Sequence, residues 1–153
     1  TQENDMAAVE QTARKVAPPP YRADHVGSFL RPDKVKAARK AHFDDKTMSA
    51  DELKAIEDEA IRDVIRMQED AGLKAVTDGE FRRFFWHFDF MGMLDGLDNI
   101  EREGGGVQFH GTKTRATVPT ISGKLGFPAD HPMLEHYRFV AANTQVTPKI
   151  SRG

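Results

Sequence analysis

Residues 75–86 read AVTDGEFRRFFW: an apolar run ends in an acid, a glycine and a second acid, followed by two arginines and aromatic residues. The segment Leu73 to Thr77 is too short for a helix, and its β-branched residues favour a buried strand. Parallel α/β proteins place their chemistry at the carboxyl ends of such strands. We therefore predict that Glu80 projects into a substrate pocket.

The same residues also allow a structural interpretation. Asp78 and Glu80 would cap the following helix, because acids are common at helix N-termini. Arg82 and Arg83 would then pair with these acids at the surface. From spacing alone the two interpretations carry about equal weight.

Composition narrows the class of protein. The 153 residues suffice for one domain with a core, and 30% charged with 39% hydrophobic residues is ordinary for a soluble globular protein. A net charge of -2 provides no basic field for nucleic acid or an anionic membrane. The chain has no cysteine, hence no disulfide and no thiolate metal ligand of its own. We predict a cytoplasmic protein without nucleic-acid or membrane partners.

An amphipathic helix precedes the strand. Ser49 and Glu52 have the spacing of a capping box, and apolar residues recur from there at steps of three and four. Gly72 stands where a left-handed C-cap belongs, which predicts a helix of about 22 residues. The charged residues of this helix are predicted to form a solvated face: Asp51, Lys54, Glu57, Asp58, Arg62, Asp63, Arg66 and Glu69.

Residues 21–32, YRADHVGSFLRP, predict an earlier strand. A short strand near Ala23 to Val26 would end at a turn made possible by Gly27. Ser28 would follow, with its hydroxyl and backbone N–H available to a ligand. An ordinary turn is the alternative for this dipeptide. His25 taken alone is interpreted as a hydrogen-bonded structural histidine.

The helix predicted from Asp33 to about His42 connects these two regions, and Pro32 suits its first turn. Two strands joined by crossover helices form a βαβ unit, which implies parallel strands and a right-handed crossover. Ser28 and Glu80 would then lie at the same rim and face one cavity.

The segment Phe81 to Phe90 holds six Phe or Trp residues in ten. Such a concentration is predicted to line a pocket, cover a barrel mouth or form an interface. One of Arg82 and Arg83 would clamp a carboxylate, and the other would pair with an acid. Trp86 and His87 are additional pocket candidates.

The remainder of the chain yields coarser predictions. Asp95 to Gly106 resembles a loop, and Val107 to Val118 alternates around a glycine in the manner of a β-hairpin. A helix is predicted from Pro132 to near Asn143, and Val146 to Ile150 begins a third strand. The first 20 residues, which end in three prolines, are predicted to form an extended or partly disordered arm.

Residues 21–32 and 76–86, with His87, Asp89 and Phe90, together resemble the cobalamin-independent methionine synthase family. The likeness is to its short members, which match the catalytic C-terminal barrel of the long enzyme. Two long motifs in the right order, separated by the right helix, make the resemblance specific.

The resemblance implies a (β/α)8 TIM barrel that transfers a methyl group from a folate-type donor to a thiol such as homocysteine, as in methionine biosynthesis. In that family a zinc ion binds the thiol and favours its thiolate. Val26, Gly27 and Ser28 match the segment that contacts the substrate's carboxylate, and Glu80 matches the acid that holds its amino group. Further pocket candidates are His25, Asp78, Arg82, Arg83, Trp86 and His87; no catalytic residue is assigned.

The sequence departs from the family in its length. The family's zinc ligands lie later in the barrel, so no metal ligand is expected in this chain, and a complete barrel takes about 250 residues. We predict that residues 21–153 form the N-terminal part of a barrel, with an inserted hairpin and a third strand cut off near its end. Such a part is expected to associate with the missing half or with its own copies, and to be inactive alone.

Two other functions remain open at this point. The chain would serve as a non-catalytic oligomerising or binding module, or the whole barrel would act on another thiol or decarboxylate a porphyrin.

Overall fold

The structure is a computed structural model that describes residues 24–85, 88–102 and 116–151. The predicted N-terminal arm, Trp86 and His87 lie outside these ranges, as do residues 103–106 of the predicted loop and residues 107–115 of the predicted hairpin. Within them, no helix has the length and apolarity that crossing a membrane requires.

Two helices form the first layer: α1 spans Asp33–Phe43 and α2 spans Ala50–Asp70. The predicted capping box is confirmed, because Glu52 N donates to Ser49 Oγ at 3.2 Å and Ser49 N donates to Glu52 Oε2 at 2.8 Å. The predicted C-cap is confirmed as well. Gly72 has φ +84°, and the next residue, Leu73, donates its N–H to the Gln68 carbonyl at 3.1 Å.

The hydrophobic core lies between these helices, the strand that follows them and the last helix. It consists of side chains that are almost fully buried: Val35, Ala60, Ile61, Val64, Ile65, Val76, Phe81 and Val140. Burying a Val- or Ile-sized side chain in this way stabilises a fold by about 2 kcal/mol. The core therefore fixes α2 against the segment that follows the strand, residues 77–83, where the candidate site lies.

The predicted solvated face of α2 is wrong at one carboxylate. Glu57 is only 5% exposed, whereas Met67, an apolar residue of the same helix, is 48% exposed. Gln68 is buried and bonds both backbone groups of Thr77: its amide N donates to the Thr77 carbonyl at 2.9 Å, and its amide oxygen accepts from Thr77 N at 3.0 Å. Polar partners on neighbouring elements explain why Glu57 and Gln68 are buried. The periodicity of a helix does not reveal such partners.

Strand β1 comprises Ala75–Val76 and pairs in parallel with β4, Thr147–Pro148. Lys149 N donates to the Val76 carbonyl at 2.8 Å, which closes the pair. Helix α4, Pro132–Asn143, leads into β4 as predicted. The two predicted strands are thus in place, but each is reduced to two residues.

The strand predicted near Ala23 to Val26 is wrong for its described part, because residues 24–31 carry no strand. Gly27 has φ +89° and bends the chain. One backbone bond, from Phe29 N to the Gly79 carbonyl at 3.1 Å, ties this segment to the end of β1. Val26 consequently remains 83% exposed.

A two-stranded antiparallel sheet follows the short helix α3, Phe88–Met91. It joins β2, Asp95–Arg102, to β3, Ala116–Gly126. The loop predicted over residues 95–106 is therefore wrong for its first eight residues. Asp, Asn and Gly are poor strand formers, and cross-strand pairing overrides that weak preference. That the hairpin is an insertion in a barrel stays a prediction.

Candidate functional site

The candidate site is built on a strained turn, residues 77–83, that follows β1. Gly79 and Glu80 both have left-handed backbone conformations, with φ +67° and +59°. A Cβ at Gly79 would lie 3.1 Å from Phe81 Cε1 and 3.3 Å from Val64 Cγ1, so any other residue there would be strained and would push these side chains aside. At Glu80 the same conformation costs about 1–2 kcal/mol, because a side chain is present. The strain orients Glu80 inward, into the protein.

Only one of the two carboxylate oxygens of Glu80 has hydrogen-bond partners among the described residues. The residue is 4% exposed, and its Oε2 accepts from Ser28 Oγ at 2.6 Å and from Arg83 Nη1 at 2.7 Å. Its Oε1 is buried and has no hydrogen-bond partner among the described residues. A carboxylate oxygen accepts up to two hydrogen bonds, so Oε1 is an acceptor suited to a ligand's N–H group.

A cavity of about 70 Å³ has Glu80 among its lining residues. The walls combine acids, arginines, one histidine and apolar side chains: Asp78, Glu80, Arg82, Arg83, Asp89, Met93, Pro132, Met133, His136, Ile150 and Ser151. The cavity thus draws residues from the segments that follow the two strands of the parallel pair, from residues 89–93 and from α4.

Both arginines of the motif form ion pairs inside the chain. Arg83 pairs with Glu80 and donates through Nη2 to the Ser151 carbonyl at 3.3 Å. Arg82 pairs with Asp58 on α2, and its Nη1 is buried without a hydrogen-bond partner in the described part of the chain. Both arginines therefore pair with acids of the chain, and that one of them clamps a ligand's carboxylate stays a prediction.

The structural interpretation of these residues is wrong in its geometry. No helix directly follows Glu80, since residues 80–83 form a turn closed by Arg83 N donating to the Glu80 carbonyl at 3.2 Å. The arginine pairs also lie below the surface, with side-chain exposures of 9% for Arg82 and 12% for Arg83.

Ser28 is adjacent to Glu80, as predicted, but it does not line the cavity. Gly27 and Val26 lie away from the cavity wall as well. His25 hydrogen-bonds the Gly27 carbonyl through Nε2 at 2.6 Å and stacks on Phe29 at 3.7 Å, which fits the interpretation as a structural histidine. Of the predicted pocket residues, Asp78, Glu80, Arg82 and Arg83 are therefore the ones brought to the cavity.

His136 is a cavity residue that sequence reasoning missed. It lies on α4, four positions before the buried Val140, so helical periodicity already placed it on the inward face. Burial, followed by the positive charge of Arg82, lowers the pKa of His136 below its usual value, while Asp78 opposes the shift. A neutral imidazole next to Arg82 can accept a hydrogen bond or a proton.

The exposed aromatic residues of the segment, Phe84 and Phe85, do not line the cavity. Phe84 and Phe85 are 64% and 47% exposed, and their rings lie edge to face with centroids 5.2 Å apart. Phe43 of α1 extends the row, 5.7 Å from Phe84. Phe81 alone of these is in the core. A role at a barrel mouth or an interface stays a prediction.

The described residues contain no group of three or more His, Asp or Glu that could hold a metal ion. Zinc therefore does not fit the part of the chain that the structure describes, and none of its residues is assigned as a ligand.

An acid that follows a parallel strand, beside a cavity whose lining is mainly apolar, is an arrangement that α/β proteins use for small-molecule sites. Comparison with known proteins gives the family of this chain. Residues 22–149 match the family model described as "Cobalamin-independent synthase, Catalytic domain". The chain belongs to the cobalamin-independent synthase family.

Two relatives in Bacillus subtilis (strain 168) are the uncharacterized proteins YxjG and YxjH. YxjG is 43% identical over 145 residues, which cover 93% of this chain, and YxjH is 44% identical over 146 residues, which cover 92%. The chain spans 37% of the length of each.

A solved structure from Listeria monocytogenes, provisionally assigned as a vitamin-B12 independent methionine synthase, is also similar. It superposes with a TM-score of 0.60 at 37% identity, over 82% of this chain and 32% of that one. The resemblance to the family is thereby confirmed.

Proposed function

We propose that this chain supplies the amino acid-binding part of a methyltransferase that transfers a methyl group from a folate-type donor to a thiol such as homocysteine. The family match and the provisional assignment of the Listeria protein support this reaction class. The single observation that carries the proposal is the buried Oε1 of Glu80, which has no partner and belongs to a residue of the cavity wall.

The ammonium group of the amino acid would donate to Glu80 Oε1. A charged donor facing a buried carboxylate forms a strong, short hydrogen bond, and here the carboxylate is already fixed by Ser28 and Arg83. Val26, Gly27 and Ser28 lie outside the cavity wall, so the substrate's carboxylate would meet their backbone by extending past the cavity. Met93, Met133 and Ile150 give the cavity an apolar side suited to a thiol or thioether chain.

Methyl transfer needs more than binding. A thiolate must attack the methyl carbon while the donor's nitrogen leaves, and a zinc ion in this family favours the thiolate. The chain covers 37% of the length of its Bacillus relatives, so the full reaction is proposed for the complete site and not for the described residues alone.

Calorimetric titration of the 153-residue chain with L-homocysteine and L-methionine tests the proposal. Glu80→Gln should weaken binding by about 10- to 100-fold, because a hydrogen bond to a charged group contributes about 1.5–3 kcal/mol. N-acetylmethionine, which lacks the ammonium group, should bind weakly to the wild type and equally weakly to the variant.

Glu59→Gln is the matched control, since Glu59 is an exposed acid on α2 that pairs with Lys34. It should leave amino acid affinity unchanged. Equal affinity of wild type and Glu80→Gln would refute the proposed role of Glu80. Binding of coenzyme M in preference to either amino acid would favour a barrel that acts on another thiol.

A further inference from the structure

The backbone carbonyls of residues 80–83 converge on two arginine side chains. These carbonyls belong to the turn that holds Glu80 in its left-handed conformation. They accept hydrogen bonds from one arginine of α1 and one of the segment before it, and neither arginine lines the cavity. The contacts of the two arginines therefore bear on the conformation of Glu80 without reaching its carboxylate.

Arg31, just before α1, binds three of these carbonyls. Its Nε donates to the Phe81 carbonyl at 3.1 Å, and its Nη2 donates to the carbonyl of Glu80 at 3.0 Å and to that of Arg83 at 2.5 Å. The planar guanidinium holds its donors in a fixed fork, so it fixes the relative positions of the carbonyls it binds.

Arg39, on α1 and eight positions after Arg31, binds the same turn. Its Nη1 donates to the Arg82 carbonyl at 3.1 Å and its Nη2 to the Arg83 carbonyl at 3.3 Å. Nη1 also donates to Glu57 Oε1 at 2.7 Å. Glu57 is the buried carboxylate of α2 that sequence periodicity assigned to solvent.

Glu57 has a defined place in this arrangement. Taking a carboxylate out of water is costly unless it is paired, and Arg39 is its partner. Burial raises the pKa of Glu57, while Arg39 and Arg82 oppose the shift. The acid anchors Arg39 between α2 and the turn, so both helices contribute to the position of residues 80–83.

We propose that Arg31 and Arg39 are positioning residues, which hold Glu80 in its left-handed conformation so that Oε1 is ready to receive the ligand's ammonium group. Neither residue lines the cavity. They act through the carbonyls of the turn, and Glu57 acts through Arg39. This inference rests on the proposed function of Glu80.

Arg31→Lys and Arg39→Lys are the direct tests, because they keep the charge but replace the fork by one ammonium group. Each should weaken methionine binding by about 10-fold in calorimetry, since misplacing a binding group by a fraction of an ångström is costly. The backbone three-bond HN–Hα coupling and Cα chemical shift of Glu80 should move away from left-handed values. Arg66→Lys is the control, as Arg66 pairs with Asp63 at the surface.

A double-mutant cycle separates positioning from general stabilisation. In the Glu80→Gln background, Arg39→Lys should change methionine affinity less than twofold, because the group being positioned is gone. An unchanged effect in that background would overturn the inference. So would wild-type affinity together with unchanged Glu80 coupling and chemical shift in both arginine variants.

The result for Glu80 itself is read separately. If Glu80→Gln leaves affinity unchanged, the proposed function fails, yet the Glu80 coupling still reports whether the arginines hold the turn. If an arginine variant does not fold, Glu57→Gln replaces it: this near-isosteric change should weaken methionine binding about threefold or more, and no change would count against the inference.

Discussion

Glu80 and Lys46 share a backbone conformation and little else. They are the non-glycine residues with positive φ in the described ranges, at +59° and +56°. Lys46 is exposed in the loop after α1, whereas Glu80 is 4% exposed and bonded to Ser28 and Arg83. The same strain of about 1–2 kcal/mol thus accompanies an exposed side chain at Lys46 and a buried, hydrogen-bonded carboxylate at Glu80.

Gly79→Ala should produce the largest effect, because it adds a Cβ to a crowded left-handed position beside Glu80. The left-handed conformation and overpacking against Phe81 and Val64 together should cost about 3 kcal/mol of unfolding free energy. Urea denaturation measures it. Gly72→Ala is the control: a Cβ there meets nothing within 4 Å, so its cost should be about 1 kcal/mol.

Glu80→Gly should lower the unfolding free energy by about 2 kcal/mol even though it removes backbone strain. It leaves Arg83 without its carboxylate in a buried position, a loss of about 3–5 kcal/mol that the relieved strain offsets only in part. Chemical denaturation again provides the measurement. A stabilised Glu80→Gly variant would show that the two left-handed residues are equivalent.

Lys46→Gly should have the opposite sign and raise the unfolding free energy by about 0.5 kcal/mol. Relief of the left-handed strain slightly exceeds the added chain entropy of glycine in the unfolded state. Thermal and urea unfolding should agree on the sign. Methionine affinity should not change, because Lys46 lies outside the site.

The smallest expected effect is a change of stability with pH. It arises from His136, which lines the same cavity as Glu80. Its pKa is lowered by burial and by Arg82, so below about pH 6.5 the unfolded chain binds the proton first. Stability should therefore fall as the pH drops from 6.5 through the pKa of the folded protein. His136→Gln should flatten this part of the profile, whereas an identical slope in the variant would contradict the assignment.

Local patterns in the sequence predicted the helices well. Capping by Ser49, the left-handed Gly72 and the proline at the start of α4 involve neighbours a few positions apart, and all three appear in the structure. Strand lengths were predicted poorly, because a strand extends only where a partner binds it. The segment 24–31 meets β1 through a single backbone bond, so it forms no ladder.

The candidate site was predicted only in part, because local patterns do not reveal contacts between distant parts of the chain. Glu80 and Ser28 were found because each follows a glycine at the end of a predicted strand. His136, Arg39 and Glu57 were missed, since their roles depend on elements that pack together from distant parts of the chain. A helical wheel places Glu57 on the charged face of α2, but it does not show that Arg39 of α1 forms an ion pair with it.

The parallel pairing of β1 with β4 has a consequence for synthesis. Ala75 and its partner Thr147 are 72 positions apart. At about 5–20 residues per second, a ribosome needs roughly 4–14 seconds to add the later strand after the earlier one. During that interval the nascent chain presents Glu80 without the wall formed by Ile150 and Ser151. The helical layer can form early, but the pocket is completed only when the final residues of the described chain emerge.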